Sequence, residues 1–145
     1  MRKNLIVIVT LLILAVAIVG VYLATIPKPI DETSLRSYSD PMTEQLLVSI
    51  NTGNYTQFTA NFDPAMLNAF PLEKFDQLRD SLQSNIGNFS SMSFLKAERS
   101  GSFIVAYYNT IYTNDSNVQV RVVFSYNDGI AKISGLWFNS EKLAS

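Results

Sequence analysis

A chain of 145 residues, 48% hydrophobic, with 11 Lys and Arg against 12 Asp and Glu, is nearly neutral and apolar enough to build one core. It contains no Cys and no His, which excludes disulfides, thiolate chemistry, the usual zinc sites and an imidazole base, so no metal or cofactor is expected. Arg36, Lys74, Arg79, Lys96, Arg99, Arg121, Lys132 and Lys142 are scattered singly; a phosphate-binding face needs them clustered, and nucleic acid is not expected as a partner.

The chain opens with Arg2 and Lys3 and then an uncharged apolar run from Leu5 to Ile26. At about 1.5 Å per residue this run makes a helix of roughly 33 Å, against a hydrocarbon core of about 30 Å. It is long for a secretory signal, and cleavage after Ala24 would put Tyr22 where a small residue belongs. The expected arrangement is an uncleaved anchor in membrane lipid, residues 5–26, with Tyr22 at the interface. Residues 1–27 then form the cytoplasmic tip and anchor, and 28–33 a short Pro-containing linker. Residues 34–145 make one domain. Arg2 and Lys3 ahead of the span place the N-terminus in the cytoplasm and the domain outside a cell membrane; the alternative is secretion after signal cleavage.

Beyond Pro27 and Pro29, the positions Leu35, Tyr38, Met42, Leu46 and Ile50 fall on one helical stripe. Pro41 interrupts it, and Asp40 is expected to cap a helix starting at Pro41, with a looser turn before it. Gly53 ends that helix. Asn54 to Asn61 reads as a short helix with Tyr55, Phe58 and Phe62 inward, and Asp63-Pro64 as the start of another turn. Pro71 opens a helix whose stripe is Leu72, Phe75, Leu78, Leu82 and Ile86, closed by Gly87.

The period then changes to that of strands, over Met92 to Arg99 and Phe103 to Tyr112. A polar turn at Asn114 to Asn117 leads into Val118, Val120, Val122, Phe124 and Tyr126, which share one strand face. Asn127-Asp128-Gly129 is a hairpin signal, and Ala131 to Asn139 returns as a fourth strand with a bulge expected near Gly135. Helices followed by four antiparallel strands predict an α+β domain.

Ile50-Asn51-Thr52-Gly53-Asn54-Tyr55, then Phe58, Phe62-Asp63, Met66 and Pro71, and the closing Ile133-Ser134-Gly135-Leu136-Trp137-Phe138, resemble the domain of unknown function 3887. That group is similar to nuclear-transport-factor-2-like, cystatin-like cone folds, in which a curved sheet wraps a long helix. The resemblance spans most of Ser34 to Phe138 and implies a fold, with little about activity. It would leave a cavity between helices and sheet, which Tyr55, Tyr107, Tyr108, Tyr112, Tyr126 and Trp137 either line or fill. In similar folds that act as isomerases, an Asp and a Tyr move protons. Asp63 with Tyr55 or Tyr107 is the constellation here that matches those residue types, although Asp63-Pro64 is also an ordinary helix start.

Asn54-Tyr55-Thr56, Asn88-Phe89-Ser90 and Asn114-Asp115-Ser116 are glycosylation sequons, with Asn114 in the most exposed turn. The functions expected are three. The first is a non-enzymatic, membrane-tethered module binding a small apolar ligand or an envelope protein. The second is a structural subunit, forming a homodimer or meeting a partner through its sheet face; the third is an isomerase or dehydratase.

Overall fold

The computed structural model describes residues 28–144. The apolar run from Leu5 to Ile26 lies outside them, and among the described residues no helix is long and apolar enough to cross a membrane. The first described helix, α1, is continuous from Glu32 to Thr52 with Pro41 inside it. The expected start at Pro41 is therefore corrected. Asp31 is the cap, accepting from the backbone N–H groups of Thr33 and Ser34, and Asp40 is engaged elsewhere. Pro41 is exposed, so the ladder bond it removes lies on the solvent side, while buried Leu35 and Ser39 hold the first turns against the body. The helix ends at Gly53 with φ 68°, a left-handed cap.

Two short helices and a longer one follow. Helix α2, Tyr55–Thr59, is capped by Asn54, and α3, Pro64–Ala69, is capped by Asp63. Helix α4, Leu72–Asn85, begins after Pro71, buries Phe75, Leu82 and the following Ile86, and leaves Leu72 exposed, against its place on the predicted stripe. Contact with the body starts one turn later than the periodicity suggests.

The sheet is a four-stranded antiparallel meander in the order β1, Phe89–Ser100; β2, Phe103–Tyr112; β3, Asp115–Asn127; and β4, Ile130–Asn139. β1 starts earlier than its alternation indicated, because the Asn51 amide bonds both backbone groups of Phe89: its nitrogen donates to the Phe89 carbonyl at 2.8 Å and its oxygen accepts from the Phe89 N–H at 2.9 Å. β3 also starts earlier, at Asp115, which pairs with Tyr112 and accepts a hydrogen bond from Ser140 at 2.5 Å. The expected four-residue turn thus shrinks to Thr113-Asn114. Asp128 and Gly129 take φ of 51° and 80°, the positive values a tight hairpin requires.

The bulge lies where β4 meets the chain before α3. Val123 pairs with Gly135 and Phe124 with Ile133, so Ser134 is the extra residue. There Ile133 exchanges backbone hydrogen bonds with Asn61 and Asp63 at 2.7 and 3.0 Å. Gly135 has its own reason: a Cβ there would come within 2.5 Å of the Trp137 ring, which lies across it. The core fills the space between α1 and the concave face, with Leu46, Leu47 and Ile50 against Ala106, Tyr108, Val118, Val120, Val122 and Phe124.

Candidate functional site

Tyr108 and Tyr112 project from β2 into that interior, and both are almost fully buried. Burial pushes both phenols above their ordinary acidity range. The Tyr108 hydroxyl lies within hydrogen-bond distance of Ser39 Oγ at 2.8 Å and Asp40 Oδ1 at 3.0 Å, and Asp40 also pairs with Arg36 at 3.0 Å. Asp40, just over two turns inside α1, thereby ties the helix to the sheet. These two tyrosines belong to the packed core of the domain.

An opening exists at one end of the domain. The β1–β2 and β3–β4 hairpins and the start of α1 meet there around a cleft of about 480 Å³. Its floor is Leu35 and Ile104, and its walls include Tyr38, Tyr126, Arg99, Ser34, Ser37 and Ser102. Tyr38 and Tyr126 stack with ring centroids 5.7 Å apart, and Tyr38 meets Phe124 edge-on at the same distance. Burial raises the Tyr38 pKa, the neighbouring Tyr126 adds to this, and Arg99 opposes it. Arg99 Nε donates to the Lys28 carbonyl at 3.2 Å, so the incoming chain is fastened to the rim of the cleft. An apolar floor, two aromatic rings and a guanidinium can hold a small molecule with an apolar body and an anionic group.

Of the six aromatic candidates, Tyr126 lines this cleft. Tyr55 lies in a separate aromatic group under the helices, its ring tilted against Phe75 at 5.6 Å and its hydroxyl donating to the Phe70 carbonyl at 2.9 Å. Tyr107 and Trp137 are on the outer face of the sheet, around a shallow groove of about 360 Å³ that also holds Val105, Arg121 and Val123. Arg121 stacks on Trp137 at 4.4 Å and Lys96 on Tyr107 at 4.7 Å. Tyr38, Arg99 and Ile104 were missed by sequence reasoning. Tyr38 counted as one more position of a core stripe and Arg99 as a solitary surface charge; nothing local marks either.

The Asp63 constellation does not assemble. Tyr55 bonds Phe70, Tyr107 bonds Glu98, and both carboxylate oxygens of Asp63 are engaged: Oδ1 accepts from Met66 N–H at 2.7 Å and Oδ2 from Ser134 Oγ at 2.5 Å. Asp63→Asn should keep the cap and let Ser134 accept in place of donating, with near-native stability in urea unfolding. Asp63→Ala should lose about 1 to 3 kcal/mol. The three sequon asparagines are all exposed: Asn54 caps α2, Asn88 accepts from Gln83, and Asn114 sits at the β2–β3 turn. Among the described residues no group of three or more acidic side chains is arranged to hold a metal ion.

Helices packed on the concave face of a curved four-stranded antiparallel meander, with an opening at one end, define a small α+β domain. The chain belongs to the family described as Protein of unknown function (DUF3887), whose model matches residues 43–136. No curated protein matches it. Among solved structures it is similar to a chain called Rd1NTF2_05 carrying five substitutions, at 10% identity and TM-score 0.48, covering 73% of this chain and 99% of that one. It is also similar to an NTF2-like protein of unknown function from Cytophaga hutchinsonii, at 10% identity and TM-score 0.34, covering 72% and 92%. Likenesses of this size say nothing about activity.

Proposed function

We propose that this protein is a non-enzymatic, membrane-anchored binding module. Residues 5–26 hold it in the bilayer, its domain stands outside the cell membrane, and the cleft between α1 and the two hairpins receives a small amphipathic ligand. The observation that carries the reading is the contrast between a filled cone interior and an open end lined by Tyr38, Tyr126 and Arg99. Asp63, bound at both oxygens, is spent on structure, which favours binding over catalysis. Outside the membrane, the sequons at Asn54, Asn88 and Asn114 are open to glycosylation in a host that performs it. Nucleic acid has no part in this reading.

Octanoate, one carboxylate on a short apolar chain, is a suitable probe. It should bind the full-length protein in nanodiscs saturably, and Arg99→Gln or Tyr126→Ser should weaken it about tenfold or more, as expected for loss of a charge-assisted contact worth about 1.5 to 3 kcal/mol. Trp137→Phe should leave it unchanged. Equal binding by the Arg99→Gln protein would remove the cleft from the account.

A second reading has its own observation. The outer sheet face exposes Phe103, Ile111 and Trp137 beside Val105 and Val123, an apolar patch that suits a second copy or an envelope protein. If that face is an interface, Trp137→Glu lowers the mass measured by light scattering and leaves octanoate binding intact.

A further inference from the structure

The hairpin end of the domain carries more than the cleft. Phe103, Tyr126 and Ile130 are 40%, 54% and 59% exposed, and all three lie at this end. β2 begins at Phe103, and Ile130 pairs with Asn127 next to Tyr126. The chain enters at the same place. Arg99 Nε holds the Lys28 carbonyl at 3.2 Å, and only Pro27 lies between Lys28 and Ile26, the last residue of the apolar run. The two Cα–Cα steps from Ile26 to Lys28 reach at most about 7 Å.

The chain therefore has no slack with which to lift this end away from the bilayer. Resting on the membrane-anchored reading above, we infer that the hairpin end is a membrane-contacting surface: Phe103, Tyr126 and Ile130 lie in the interfacial layer of the outer leaflet, and the cleft opens at the level of the lipid headgroups. Aromatic and aliphatic side chains are the ones that settle at that depth. Lys28, Arg99 and Lys132 are offset by Asp31, Glu32 and Asp128 at the same end, so the contact is apolar in origin and needs no anionic lipid. The cleft's ligand would then be an amphiphile drawn from the leaflet, its charged group toward Arg99 and its apolar part toward Leu35 and Ile104.

The chain has one tryptophan, Trp137, seven residues along β4 from Ile130 and so about 20 Å further from the bilayer. The full-length protein is reconstituted into zwitterionic phosphatidylcholine vesicles with brominated acyl chains, and its retention after alkaline washing is measured first. Ile130→Trp and Phe103→Trp, each combined with Trp137→Phe, should lose about half or more of their emission to the brominated lipid, while native Trp137 keeps most of its own. The same result is expected in high salt. If the protein is retained but the tip tryptophans are quenched no more than Trp137, the surface assignment is wrong and the anchor stands. Tip tryptophans shielded from both brominated lipid and aqueous iodide would mean that another protein surface covers this end, which also overturns it. Loss of the protein on alkaline washing would remove the anchor itself, and this inference with it.

Discussion

Phe58→Ala should be the most damaging single truncation in the domain, costing about 3 to 5 kcal/mol. The ring is 1% exposed and sits at the middle of an aromatic group, with centroids 4.7 Å from Phe75, 5.0 Å from Phe62 and 5.3 Å from Phe70. Those neighbours come from α4, from the bridge to β4 and from the end of α3, so the cavity left behind cannot close by moving one element. Since small domains hold only about 5 to 15 kcal/mol in total, the variant should melt more than about 10 °C lower or fail to accumulate. Unfolding followed by Trp137 fluorescence measures it. A cost below about 1 kcal/mol would mean that α2 is only draped over the core.

Asn51→Leu should be nearly as costly, at about 2 to 5 kcal/mol, for a different reason. Leucine matches asparagine in shape but leaves the N–H and the carbonyl of Phe89 without partners, and each such group costs about 1 to 3 kcal/mol when it is out of water. The partly buried Asn51 amide is the clamp between the end of α1 and the start of β1. Hydrogen exchange separates this from a general loss of stability: the Phe89 amide should lose protection ahead of the amides of β2 and β3. An unchanged Phe89 exchange rate would show that the strand start is held by its neighbours alone.

These two residues also mark where sequence reading succeeds and stops. Phe58 was legible because a short amphipathic segment after a helix-ending glycine has one apolar side to bury. Asn51 was visible only as part of the stretch that resembles a family; its bond to a residue 38 positions away has no local sign. The same distinction explains the other outcomes. The Asp128-Gly129 turn, the bulge beside Gly135 and the limits of β2 follow from local chemistry and were read correctly. The continuity of α1 through Pro41 depends on tertiary contacts of Leu35, Ser39 and Asp40, which periodicity does not contain. The early start of β3 depends on Ser140, from the far end of the chain.

The candidate site was the least legible part. A cone fold suggested an internal cavity, and the aromatic residues of the strands were the natural lining. Val118, Val120, Val122, Phe124 and the Tyr108 ring occupy that volume at 1% exposure or less. The opening forms where the first turn of α1 meets two hairpins from the second half of the chain, and only the assembled topology brings Tyr38, Arg99 and Tyr126 together.

The central claim is that this domain stands outside a membrane on an uncleaved helix, and protease accessibility in intact cells tests it most directly. With an N-terminal tag ahead of Arg2, the chain should stay in the membrane fraction after carbonate extraction. External protease should remove the domain and leave the tag with its span intact. A soluble domain with a new N-terminus near Thr25, or a domain that external protease cannot reach, would contradict the account.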